Sequence, residues 1–246
     1  MIDDSLISSA ANGNIRRFKS LLSTGVSVDG TPAAHTTPLF VAASLNRVSM
    51  MAFLIVEGAD LEFSTPREVL DESGNVVVHK GRRPMHAAVL AGDIGPLRLL
   101  LKSGANPTPI DAEGRTPLSI VCSLSHHDDK VAPEMVRQLL EAGSDLSMGD
   151  SNNLTPLFYA ARHGKETIVS LLLSAGARND GTAGSRACPL VAAVHVDHND
   201  VVRHLVQDNC DAVGGLAAIG MPLRLALHRG RAKVLNLLLS TLASPS

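Results

Sequence analysis

Residues 155–177 read TPLFYAARHGKETIVSLLLSAGA, and the grammar of this stretch sets the architecture of the chain. Thr155 is placed to cap a helix, and Pro156 stands in the first turn, where its missing N–H costs nothing. A short helix follows, ending at Gly164. From Glu166 to Ala175 the residues Ile168, Val169, Leu171, Leu172 and Leu173 form a broad apolar face at helical spacing, and Gly176 supplies the left-handed residue that stops it. The stretch therefore predicts two antiparallel helices joined by a turn.

The same landmarks recur in both directions. Pro-Leu steps stand at Pro38-Leu39, Pro117-Leu118, Pro156-Leu157, Pro189-Leu190 and Pro222-Leu223, with Pro84-Met85 as a variant, at intervals of 46, 33, 39, 33 and 33 residues. The helix-closing step recurs as Gly25-Val26, Gly58-Ala59, Gly104-Ala105, Gly143-Ser144, Gly176-Ala177 and Asn209-Cys210, at intervals of 33, 46, 39, 33 and 33. Two independent landmarks sharing one set of intervals mean that a single supersecondary unit is stacked on copies of itself. Asn209 replaces glycine once, and Asn is the residue next most tolerant of a positive φ. Small pairs, Ala42-Ala43, Ala87-Ala88, Ala160-Ala161 and Ala192-Ala193, let neighbouring first helices approach closely.

TPLFYAARHGKETIVSLLLSAGA resembles an ankyrin repeat almost position by position. The resemblance implies an all-α repeat solenoid, a stack of antiparallel helix pairs with β-hairpin fingers, occupying residues 1–246 as a single domain. Repeats are expected at 1–33, 34–63, 80–109, 113–149, 150–182, 185–215 and 218–243. A degenerate polar repeat opens the chain and a basic one, with His228, Arg229, Arg231 and Lys233, closes it, as expected of end caps. Insertions at 64–79 and 124–131 account for the two long intervals. In the first, Arg67–Leu70 and Asn75–His79 flank Asp71-Glu72-Ser73-Gly74, which predicts an extended hairpin finger between repeats two and three, reaching roughly 20 Å beyond its neighbours.

Composition narrows the function. The chain has 246 residues, 45% of them hydrophobic and only 2% aromatic, so the core must be filled by Leu, Ala, Val and Ile. A net charge of −2 gives no global argument for nucleic acid, and no aromatic residues interleave the positive charge of His79-Lys80-Gly81-Arg82-Arg83. Three cysteines without CxxC spacing, no basic flank before an apolar run at the N-terminus and no uninterrupted apolar run of membrane length lead to an expected cytoplasmic or nuclear location, no membrane and a monomer.

Candidate chemistry is sparse. His126-His127-Asp128-Asp129 contains metal-ligand types, but adjacent loop residues seldom converge on one ion, so the expectation is no metal and no cofactor. His198 stands at a turn position and, with His195, is read as structural. Cys122 and Cys188 read as small hydrophobes, and no nucleophile or phosphate-loop motif has its required strand-to-helix context, so no catalytic residue is assigned.

Ankyrin modules bind partners through finger residues and the ends of first helices lining a concave face. By register these are His79, Lys80 and Arg82 with Leu90 and Ala91, then Glu113 and Arg115 with Ser123, and Ser151, Asn152 and Leu154 with Arg162 and His163. His195 with Val196, and His228 with Arg229, complete the row. The expectation is a non-enzymatic adaptor, scaffold or assembly chaperone holding a protein partner, with the basic residues favouring an acidic one. The alternative is the substrate-recognition portion of a larger enzyme or ubiquitin-ligase complex.

Overall fold

Thr37, Thr116 and Thr155 each accept a hydrogen bond on Oγ1 from the backbone N–H three residues on, at 3.2, 3.2 and 3.3 Å, and each precedes a proline that opens a helix. The same local rule thus recurs at three helix starts of the structure, a computed structural model. The structure describes residues 2–31, 36–65, 68–70, 76–78, 81–124, 130–179, 188–209 and 215–243. Within these lie fourteen helices: α1 (Ile2–Ala11), α2 (Ile15–Leu22), α3 (Pro38–Ser44), α4 (Val48–Val56), α5 (Pro84–Leu90), α6 (Ile94–Lys102), α7 (Pro117–Ser123), α8 (Val131–Glu141), α9 (Pro156–Arg162), α10 (Glu166–Ser174), α11 (Pro189–Val196), α12 (Asn199–Asn209), α13 (Gly215–His228) and α14 (Ala232–Ala243).

Five second helices, α2, α4, α6, α8 and α10, end on a left-handed glycine. At Gly58 φ is 87° and at Gly176 it is 89°, and a Cβ at either would meet nothing within 4 Å. The glycine is there for its backbone alone. After Gly176 the Ala177 N–H turns back to the Leu172 carbonyl at 2.9 Å, satisfying an end carbonyl that would otherwise be orphaned.

The chain divides into two compact units, residues 1–121 with 127–144, and residues 122–126 with 145–246. In the first, α1 packs on α3 and α3 on α5, while α4 packs on α6 and α6 on α8, so first helices stack on first helices and second on second. Its core holds Leu6, Phe18, Leu39, Met51, Leu54, Leu97, Leu100 and Met135, all fully buried. The second unit repeats the scheme, α9 on α11 on α13 and α10 on α12 on α14. Leu157, Ala161, Val169, Leu172, Ala193, Val202, Leu205 and Leu238 fill its interior. Each fully buried Leu is worth roughly 2 kcal/mol in area removed from water, and the alanines keep facing helices close.

Between α4 and α5 the first unit carries two strands, β1 (Glu68–Leu70) and β2 (Val76–Val78), paired antiparallel with Glu68 opposite Val78 and Leu70 opposite Val76. Below them Thr65 N–H donates to the Arg82 carbonyl at 2.8 Å and Arg82 N–H to Thr65 Oγ1 at 2.9 Å, pinning the two arms. The expected turn at Asp71–Gly74 lies outside the described residues, as do residues 125–129 of the second insertion.

Two expectations fail near the C-terminal end. Pro222 does not open a helix but lies inside α13, which begins at Gly215. The residue before it is Met221, which has no capping oxygen, whereas Leu216, Ala217, Ala218 and Ile219 upstream extend the helix readily. Asn209 likewise is the last residue of α12, where the equivalent Gly176 lies two residues past the end of α10. Without a glycine at that position, nothing ends the helix two residues earlier.

Candidate functional site

Two buried carboxylates organise the linkers on which the predicted finger residues sit. In the first unit Asp111 Oδ1 accepts the backbone N–H groups of Glu113 and Arg115, both at 2.9 Å, while its own N–H donates to the Arg115 carbonyl at 3.0 Å. Its Oδ2 holds the Arg115 guanidinium at 3.1 Å, and Glu113 approaches the same guanidinium at 3.1 Å. In the second unit Asp150 Oδ1 accepts from Asn152 and Leu154 N–H at 2.8 and 3.0 Å, and Oδ2 accepts the Tyr159 hydroxyl at 2.6 Å. Asp111 and Asp150 stand six residues before Pro117 and Pro156, a periodicity visible in the sequence once the aspartates are set in register.

These contacts redistribute the predicted site. Arg115, assigned as a groove cation, has a side chain only 18% exposed and is neutralised by two carboxylates. Arg82 is half-buried, and burial followed by the neighbouring Arg115 holds its guanidinium below the usual range. Leu90 is half-buried at the end of α5. Asn152 is exposed and Leu154 half-buried on the Asp150 turn. His79 and Lys80 lie outside the described residues.

The second unit's helix ends differ. Arg162, His163, His195, His228 and Arg229 are all exposed. Arg162, His195 and His228 are successive equivalents 33 residues apart, as are His163, Val196 and Arg229. Arg229 donates from Nη1 to the His195 carbonyl at 3.2 Å, and its Nη2 lies 2.9 Å from His195 Nε2. His163 Nδ1 lies 2.9 Å from the Tyr159 carbonyl.

His195 and His198 do not form a pair. His198 belongs to the turn after α11, where its Nε2 lies 3.2 Å from the Arg162 carbonyl. Its ring packs so closely on Gly164 that a Cβ there would come within 2.6 Å of it.

A histidine that sequence reasoning passed over, His86, is fully buried. Its Nδ1 accepts Arg83 N–H at 3.0 Å and its Nε2 lies 3.2 Å from the Arg115 carbonyl, so it closes the start of α5 and reaches the next linker together. Burial, opposed by the Arg115 carbonyl, pushes its pKa down to about 4. Position alone signals it, two residues after Pro84.

Cys122 is fully buried and its thiol is pushed up to about 12 by desolvation, the opposite of a nucleophile's environment. Cys188 is half-buried, and Cys210 and His126–Asp129 lie outside the described residues. Among the described residues there is no cluster of three metal-ligating side chains, and no helix is long and apolar enough to cross a membrane.

A family model described as ankyrin repeats (3 copies) matches residues 85–183 and 130–213. Similar curated proteins include the transient receptor potential cation channel subfamily A member 1 of Homo sapiens, 27% identical over 217 residues, covering 86% of this chain and 18% of that protein. Palmitoyltransferase ZDHHC13 of Mus musculus is 28% identical over 240 residues, covering 84% of this chain and 36% of its own length. Rabankyrin-5 of Mus musculus is 30% identical over 218 residues, covering 86% and 18%. The chain thus spans between 18% and 36% of the length of these relatives.

Proposed function

Since the chain belongs to the ankyrin repeat family, we propose that it is a non-enzymatic protein-interaction module, an adaptor or scaffold that holds a partner protein on its helix ends and linkers. The observation that carries this reading is the division of labour at equivalent positions. Asp111, Asp150 and His86 turn inward and hold the backbone, whereas Arg162, His163, His195, Val196, His228 and Arg229 face solvent at a repeating interval. Exposed side chains outside the core, presented in a row by stacked repeats, are what a binding surface requires.

The test is affinity capture from a native lysate followed by mass spectrometry. The intact chain is compared with one carrying Leu90→Glu in the first unit and one carrying Arg162→Glu in the second. A partner retained by the intact chain and lost with either substitution is the expected result. Identical recoveries from all three, or none from any, would overturn the reading. Arg115→Glu is unsuitable as a surface probe, since it would place a third carboxylate beside Asp111 and Glu113.

A second reading has its own support. The relatives are longer than this chain and include a palmitoyltransferase, so the same module could serve as the recognition portion of a larger enzyme. Immunodetection of the endogenous protein distinguishes the two, by migration at the size of 246 residues or well above it.

A further inference from the structure

The first helices of the second unit, α9, α11 and α13, contain no Asp or Glu at all, yet five basic or imidazole groups crowd their C-terminal ends: Arg162, His163, His195, His228 and Arg229. A helix C-terminus favours a cation, which is the local explanation for such residues. The fold does not demand them, however. At the equivalent positions in the first unit stand Ser44 and Leu45 after Pro38, and Leu90 and Ala91 after Pro84.

Among the described residues no carboxylate forms an ion pair with Arg162 or Arg229. Among the described side chains of the second unit, Asp150 is committed to the Tyr159 hydroxyl and two backbone N–H groups, Glu166 to His204, Asp197 to Arg231, Asp200 to Arg203 and Asp145 to Ser147. Among the described residues the Arg229 guanidinium meets the His195 carbonyl and ring and no carboxylate. Arg162 has no hydrogen-bond or ion-pair partner on its guanidinium among the described residues. By contrast the first unit's Arg83, Arg98, Arg115 and Arg137 each meet a carboxylate. Arg162 at the end of α9 and Arg229 just after α13 bring planar donors suited to carboxylates to two first-helix ends of the same unit.

We infer that this row docks an acidic segment of a partner protein, with Arg162 and Arg229 as the charged contacts and His163, His195 and His228 between and beside them. The inference rests on the interaction-module reading and names the partner's chemistry. A polypeptide is the occupant because the row lacks the exposed aromatic platforms that single-stranded nucleic acid uses; the unit's Tyr159 is committed to Asp150 and its Phe158 is buried.

The test titrates the full chain with a fluorescently labelled peptide of alternating Glu and Ser, and follows anisotropy as salt is raised. The variants are Arg162→Glu with Arg229→Glu, the milder Arg162→Gln with Arg229→Gln in case negative charge at the helix ends perturbs folding, and a control with Arg16→Glu and Arg17→Glu. The control makes the same charge change on exposed residues of α2. The expected result is binding that weakens with salt and falls at least tenfold in the Glu variant, severalfold in the Gln variant and little in the control. Absence of binding to the intact chain, equal losses in row and control variants, or tighter binding of a single-stranded oligouridylate would each overturn the inference. A lysate partner that is lost with Leu90→Glu but survives the double Glu variant would overturn it while leaving the interaction-module reading intact.

Discussion

His86 sets a pH at which the first unit weakens. In the unfolded chain an imidazole titrates near its ordinary value of 6.5, but in the folded protein burial holds it to about 4. Between those values the unfolded state binds the proton and the native state does not, so stability is complete above about 6.5, declines as pH falls, and levels off below about 4. The span corresponds to roughly 3 kcal/mol at one group. Urea midpoints measured across that range should fall with acidification in the natural chain, and the slope should be markedly reduced in His86→Gln; an identical slope in both would show that other groups carry the effect. At this scale the sequence was partly legible. Thr155 and Pro156 announce their roles because a cap and a first-turn proline act on their own backbone. Asp111, Asp150 and His86 act on backbone groups of linkers and neighbouring repeats, and Arg115 reads as an exposed cation until Asp111 is seen beneath it.

Helices and strands were legible wherever stop and start signals flank an apolar face. α9 and α10 lie where Thr155, Gly164 and Gly176 punctuate the chain, and β1 and β2 where the short apolar stretches Val69-Leu70 and Val76–Val78 flank a polar tetrad. α13 departs because propensity upstream of Pro222 outweighs a proline that has lost its capping threonine. A proline in a helix interior forfeits one hydrogen bond and crowds the carbonyl four residues back, at a cost of about 3 kcal/mol. Pro222→Ala should therefore stabilise α13, raising the melting temperature by a few degrees and slowing amide exchange across residues 215–228. A lowered melting temperature would mean that the proline serves the packing of α13 on α11 or α14. The gain is set apart from the row at the end of the same helix, where His228 and Arg229 are six and seven residues further on.

For the molecule as a whole, the stacked architecture was readable because two landmarks repeat with one set of intervals, whereas the choice of partner is not periodic and leaves no such trace. Charge is apportioned unevenly between the units: Asp111 and Glu113 hold Arg115 in the first, whereas in the second Arg162 has no ion-pair partner among the described residues and Arg229 is held by His195. The second-helix glycines add something of a different kind. Gly58 and Gly176 have nearly the same φ and equally empty surroundings, so alanine at either imposes nearly the same purely conformational strain, about 1–2 kcal/mol. Each is a calibrated weight that can be hung at a chosen point of the stack. With Gly58→Ala, amide exchange should quicken most in α4 and fade through α6 to α8; with Gly176→Ala it should quicken most in α10 and fade through α12 to α14. Uniform quickening within a unit would instead mean that it melts as a block. The distance over which the disturbance fades is a correlation length, and it tells how many neighbouring repeats must stay folded for any one of them to keep its surface in place.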